Sequence, residues 1–503
     1  MAQPSTEKHE MLEIEKVPEI NAGIPVDPDE GLSDEEKKRI DGRLVWKLDI
    51  RLIPWLSLLF LAGFLDRTNV GNAKIEGLQQ ALHMTDGQYN ASLSIFFISY
   101  ALFEPLTNVL LKRVGPRIFI PSIIIAWVSP FYDRRKGWMS PLTNFSGLMA
   151  ARWFLGLAEA GLPPGISYYL SCWYKRSEFG IRMAIFFSSA ALAGSFGGLL
   201  AAAISKMDGV DDRPGWSWIF ILEGLATVIL GLLSFWVVVD FPDKAVFLSE
   251  DDKNRVLRRL ALDQQSSAMH QEWSVKFLWA SLKDWKTYTS VLIYMGAGGS
   301  LYAFALFLPT IIKEMGFTAT TAQLLTVAPN AVAFPTTVLV GYIGDRTHAR
   351  GMLNIMSSLI GMTGFCMLIA AKSAAIRYAG TFLGAMAIFP CVANSITWAS
   401  NNVEGAYKRG ITLGIMIGWG NLNGIVASNI YRAQDSPNFY LGHGVVLGYL
   451  TVCLFLGSVL QTVLLRIENR KRRSGERDVW IHGLNSEQIE LLGDKQPGFI
   501  YTT

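Results

Sequence analysis

Apolar runs of about 17–25 residues, long enough to cross a bilayer, recur at 52–72, 91–111, 146–168, 183–205 and 217–239, with a weaker run at 118–132. After a polar interval the pattern resumes at 287–309, 323–343, 353–371, 377–398, 410–430 and 444–466. Twelve crossings are predicted, six and six: an all-α polytopic membrane protein built as two six-helix bundles. The interval contains "LSEDDKNRVLRRLALDQQ", amphipathic rather than apolar, and reads as a soluble linker. The expected division is a tail over 1–48, a first bundle over 49–240, a linker over 241–286, a second bundle over 287–468 and a tail over 469–503.

Composition agrees with the pattern. Half of the 503 residues are hydrophobic, only 17% are charged, and 46 are glycine, which is more apolar and glycine-rich than a soluble domain. A net charge of +3 without any aromatic-interleaved basic patch excludes nucleic acid as a partner. Cys172, Cys366, Cys391 and Cys453 lie singly in apolar segments, without the spacing of a disulfide framework or a metal site. No phosphate-cradling loop or His-Glu-x-x-His helix occurs, and "GAGGS" at 296–300 lies inside an apolar run. An enzyme, a metal and a cofactor are therefore not expected, and the energy for any transport must come from a gradient.

Orientation follows from the bases in short loops. Lys112, Arg113 and Arg117, then Lys175, Arg176 and Arg182, then Arg346 and Arg350, then Lys408 and Arg409, and finally "RIENRKRRSGER" all fall on one side. That side is expected to be the cytosol, with both ends of the chain in it; the first 48 residues lack the features of a cleaved signal. One stretch breaks the pattern. The third run is short, and the "DRRK" of "SPFYDRRKGWMSP", residues 129–141, places three bases on the opposite side. This segment reads as translated intron or a local error in the gene structure.

Charges inside apolar runs are costly and face a cavity or a partner rather than lipid. "FLDRTNVGNA" places Asp66 and Arg67 at the end of the first run. Either the helix stops at Phe64 and both sit in the interface, or it continues and the pair lines an aqueous path with Asp66 as the counter-charge of Arg67. The fourth run carries Arg152 and Glu159, seven residues apart, hence on nearly one helical face. The arginine is a fork of donors suited to a carboxylate and the glutamate a proton carrier; a buried structural ion pair is the alternative. Asn394, Trp398 and Asn402 in the tenth run, with Asn421 and Asn423 in the eleventh and Tyr302 in the seventh, either meet a substrate from the second half or bond between helices.

The halves also repeat. "NVLLKRVG" follows the second run and "GYIGDRTHARG" the eighth, and such duplication places a site between the halves near the membrane midplane. The loop Gly341, Asp345, Arg346 resembles the G-x-x-x-D-R signature of the major facilitator superfamily; in the first-half copy Asn108 and Lys112 replace the usual glycine and aspartate, followed by Arg113. "LDRTNVGNA", "RWFLGLAEAGLPPGISYYLSCWYKR", "GWSWIFILEG" and "GWGNLNGIVAS" together resemble the anion:cation symporter family, in particular its fungal allantoate and nicotinate permease branch, over roughly residues 45 to 470. The resemblance implies the major facilitator fold, a gating loop at Arg113, Gly341, Asp345 and Arg346, Arg152 as the carboxylate-binding arginine, and proton coupling through Asp66, Arg67 and Glu159. The expected function is proton-coupled symport of a small organic anion, such as nicotinate, allantoate or a similar monocarboxylate, across the fungal plasma membrane by a monomeric carrier in the lipid bilayer. An exporter of an acidic secondary metabolite and a non-transporting nutrient sensor are the alternatives.

Overall fold

The structure, a computed structural model, describes residues 27–128, 132–133, 137–138, 144–265, 275–484 and 492–503. The first helix, α1 (Asp34–Ile75), is 42 residues long. Ser33 starts it with a reciprocal capping box to Glu36, and three acids occupy its first turn, where the helix dipole favours them. It runs without interruption through Asp66 and Arg67, so the reading in which the helix ends at Phe64 does not hold.

α2 (Asp86–Val114) and α3 (Pro116–Val128) follow. At 13 residues α3 is shorter than a normal crossing. Most of 129–141 lies outside the described residues; within it, Tyr132–Asp133 pairs antiparallel with Gly137–Trp138. The fourth crossing is divided into α4 (Phe145–Glu159) and α5 (Leu162–Ser171), with α6 (Arg176–Ile204) and α7 (Gly215–Val237) after it. Two short helices, α8 (Glu250–Leu260) and α9 (Val275–Leu282), belong to the linker. The second bundle comprises α10 (Trp285–Lys313), α11 (Ala319–Thr347), α12 (Arg350–Ala370), α13 (Ala374–Asn401), α14 (Ala406–Ile430) and α15 (Tyr440–Arg473).

Among the described residues, nine helices are long and apolar enough to cross a membrane; α2, α3 and the α4–α5 pair take the places of the second, third and fourth predicted crossings. The outer surface of α7 exposes Leu225, Ile229, Leu232, Leu233 and Trp236. Exposed apolar side chains without a polar neighbour suit a lipid-facing helix, whose backbone groups are all bonded within the helix itself.

The bundles meet where α6 packs on α11, α2 on α14, and α1 on α10. Small residues allow this. A Cβ on Gly71 of α1 would lie 2.7 Å from the carbonyl oxygen of Leu306 in α10, so only glycine fits that crossing. At one face of the molecule, here called the linker face, α8 is clamped to the first bundle by ion pairs. Arg255 grips Asp29 at 2.7 and 2.9 Å, and Arg259 joins Glu178 at 2.5 Å to Asp41 at 2.9 Å.

Candidate functional site

At the centre of the molecule, Arg67 of α1 is buried and donates through Nε (3.1 Å) and Nη2 (2.8 Å) to Oε2 of Glu159. Its Nη1 reaches the hydroxyl of Tyr302 on α10 at 3.3 Å. Tyr302 donates in turn to Oδ1 of Asn421 on α14, whose amide nitrogen donates to Oε2 of Glu104 on α2 at 3.3 Å. A continuous chain of polar groups therefore passes from the first bundle into the second and back. In a low-dielectric interior each member depends on the next, because an unpaired buried group is costly.

Aromatic rings enclose the chain. The Arg67 guanidinium lies 5.1 Å from the ring centre of Phe96, 5.2 Å from Tyr100 and 5.7 Å from Tyr302. Arg152 lies 5.0 Å from the ring centre of Phe96, so one phenyl ring serves two cations. Arg152 is 2% exposed, yet its bonds are long: Nε to the Ser92 carbonyl at 3.4 Å and Nη1 to the Arg67 carbonyl at 3.5 Å. No described hydrogen-bond partner meets its Nη2, nor Oε1 of Glu159, nor Oε1 of Glu104. Arg67 has its acid; Arg152 has donors to spare.

The expected face shared by Arg152 and Glu159 is present, but Glu159 bonds to Arg67 and not to Arg152. Asp66, although adjacent in sequence, is not the counter-charge of Arg67. Its Oδ2 accepts from Trp127 Nε1 at 3.2 Å and Thr227 at 3.1 Å, on the side of α3 and α7. Successive residues on a helix point about 100° apart and do not face each other, which separates the two charges.

Tyr302 and Asn421 join the central chain. Asn394 and Trp398 do not. Asn394 bonds the Arg350 carbonyl and Asn354, each at 2.8 Å, and accepts from Arg350 at 3.1 Å, while Trp398 Nε1 donates to the Thr502 carbonyl at 2.8 Å. Both lie nearer the linker-face end of α13, because their spacing from the start of the helix carries them beyond its middle. Asn423 accepts from Tyr449 at 2.8 Å, an interhelical bond.

The loop residues lie at the linker face. Asp345 pairs with Arg350 and accepts from the backbone N–H of Ile181 at 2.6 Å, a direct link between the bundles. Gly341 packs against Ala184 of α6 so closely that a Cβ would collide with the alanine methyl. Arg346 lies over the Tyr342 ring, 5.4 Å from its centre, and Arg113 is exposed near the end of α2.

Within the described crossings, two buried carboxylates escaped the sequence reading. Glu104 is 1% exposed and ends the central chain; Glu223 on α7 accepts from Asn69. Each is a lone acid in an apolar run, the same signal that drew attention to Asp66. The cavity beside Arg67 and Glu159 measures about 10 Å³, barely the room a water needs. A substrate-sized anion therefore has no room beside this pair as the described residues are packed.

Residues 56–428 match the Major Facilitator Superfamily. The chain is similar to an uncharacterized transporter of Schizosaccharomyces pombe, 33% identical with 86% of this chain and 85% of that protein covered. It is similar also to the high-affinity nicotinic acid transporter of Saccharomyces cerevisiae, at 30% identity over 92% and 85% of the two chains. Among solved structures it resembles the proton:xylose symporter XylE, with a TM-score of 0.59 and 15% identity over 81% of this chain and 94% of the other, a likeness of fold.

Proposed function

The chain belongs to the major facilitator superfamily, hence is a secondary transporter and not an enzyme, and on that premise we propose that it couples uptake of a small organic anion to a proton. The observation that carries this reading is the close Arg67–Glu159 ion pair, with one carboxylate oxygen left over, beside the under-used donors of Arg152. Arg152 is the anchor for the substrate carboxylate. Glu159 is the proton acceptor, and Arg67 is the switch between them.

Charge balance explains the coupling. Bringing an anion into this dry cluster adds a negative charge that desolvation makes costly, and protonating Glu159 removes one. Protonation also frees Arg67 to join Arg152 on the substrate. The loaded and the empty carriers then have the same net charge in the cluster, so both can rearrange, whereas an anion bound without a proton is held back. Asp66, between α1, α3 and α7, is a second acid on this proton path.

The similarity to a nicotinic acid transporter favours an aromatic or similarly compact monocarboxylate. The basic loops favour a cytosolic linker face with both ends of the chain on it, in the plasma membrane. The deciding experiment uses the purified chain in proteoliposomes with labelled nicotinate, allantoate and other monocarboxylates. Accumulation driven by a pH gradient, and competition by the acid but not by its amide, is expected. Carriage of no monocarboxylate, or carriage indifferent to the gradient, overturns the reading.

A further inference from the structure

Residues 493–502 lie at the linker face in a groove formed by the ends of four helices. Its backbone is recognised twice over. Asn469 of α15 donates to the Tyr501 carbonyl at 2.8 Å and accepts from the Tyr501 N–H at 2.9 Å. Asn402, just after α13, donates to the Thr502 carbonyl at 2.9 Å and accepts from the Thr502 N–H at 2.8 Å. Two side-chain amides thus satisfy both polar groups of two consecutive residues, as a neighbouring strand would.

Side-chain pockets add selectivity. Asp494 is 1% exposed and bonds Lys286 of α10 and, at 2.7 Å, Lys408 of α14. Arg472 of α15 donates to the carbonyls of Gln496 and Phe499 at 2.8 and 2.6 Å, and its guanidinium lies 4.2 Å from the ring centre of Tyr501. Phe499 and Tyr501 are buried. Without Asp494, Lys286 and Lys408 are left to share Asp284, and two desolvated cations on one acid are unfavourable. The groove therefore calls for an acidic ligand.

We propose that this groove is a peptide-recognition site, selective for a segment that carries its acid in a single 3-10 turn, Gly493–Lys495, followed by aromatics five and seven residues after the acid, and that residues 494–502 occupy it as a displaceable tethered ligand. Tethering keeps the local concentration of the segment high, so the chain's own segment excludes competitors. When docked it holds the ends of α10, α13, α14 and α15 as one body. When displaced it leaves Nε1 of Trp398 without its acceptor at Thr502; that ring packs beside Gly351, next to the Arg350 that holds Asp345.

The test begins with the full chain in lipid nanodiscs. Hydrogen exchange at Tyr501 and Thr502 is expected to be slowed by at least about tenfold relative to an unstructured peptide, and Asn469→Ala is expected to restore fast exchange there. A fluorescent peptide of residues 492–503 is then titrated onto the unaltered chain and onto the full-length Asp494→Ala/Tyr501→Ala chain. Binding at least about tenfold tighter to the double variant supports the proposal. Free-peptide exchange rates in the unaltered chain overturn it, as does equal binding by both chains or no binding to a monodisperse double variant. Should the double variant aggregate, the exchange measurement on the unaltered chain decides alone.

Discussion

Arg67 places two of its donors, Nε and Nη2, on the same oxygen of Glu159, at 3.1 and 2.8 Å, and leaves the other oxygen, Oε1, without a described partner. One oxygen of the carboxylate therefore holds Arg67, while the other is available to a proton.

Glu159→Gln keeps an oxygen that can accept from Arg67 but removes the charge, mimicking the protonated acid. The variant is expected to exchange labelled for unlabelled substrate at near the original rate while losing accumulation against a gradient and the alkalinisation that accompanies it. Gradient-driven accumulation by this variant would assign the proton to another residue, with Glu104 the first to examine.

Arg152→Lys retains a cation and is expected to raise the half-saturating substrate concentration by at least about tenfold, roughly 1.4 kcal/mol. A single ammonium cannot reproduce a two-pronged contact with a carboxylate, and the long bonds that Arg152 makes within the protein are no substitute for it. Thermal unfolding measured alongside should shift little. An unchanged half-saturation removes Arg152 from the site.

Much of this site was legible from residue type and spacing. The run after Phe64 left open whether Arg67 stays in the helix, with no strong breaker before Lys74, and the seven-residue separation of Arg152 and Glu159 put both on nearly one helical face. What spacing cannot supply is the partner across a helix boundary. Arg67 belongs to Glu159 because the fold brings α1 and α4 together at that depth, which no spacing along either run records. Asn394 and Trp398 kept two readings open for a related reason, since a polar residue in a long helix looks the same in sequence at any depth; Asn394 makes the interhelical bond to Asn354. Glu104 and Glu223 carried a readable signal that was passed over, and the docking of residues 493–502 depends on four helix ends far apart in sequence.

Gly341→Leu tests closure at the linker face. The added side chain has no room against Ala184, so the bundles cannot meet there. A cysteine replacing the fully buried Met183, in a chain whose native cysteines are serine, should pass from protected to reactive toward a membrane-impermeant maleimide. Transport should fall by at least about tenfold while the chain remains monodisperse, since closure is one of the two states the carrier alternates between. Continued protection of the cysteine would show that the close contact is dispensable.

The docked segment should be insensitive to pH over the cellular range. Burial pushes the Asp494 carboxyl up, but Lys286 and Lys408 outweigh it and hold the group below the usual carboxylate range; burial keeps the neighbouring Tyr501 phenol neutral, and Asp284 and Arg472 complete the charged surroundings. A depressed folded-state value contributes stability above the unfolded value of about 3.9, lost as pH falls through the folded value. Exchange protection at Thr502, corrected for the intrinsic rate, should therefore stay constant from about pH 5 to 8. A decline near pH 6 would contradict the ion-pair account.

The length of α1 has a mechanical consequence. From Arg67 back to Asp34 the helix extends about 50 Å at 1.5 Å per residue, well past the roughly 30 Å hydrocarbon core. Its far end is tied to the linker through Asp41 and Arg259, and through Lys47 and Asp252 at 2.9 Å. The helix is a lever arm with Arg67 near its short end. A tilt of roughly ten degrees about Arg67 would sweep the other end through about 9 Å, a displacement that the linker helix must follow.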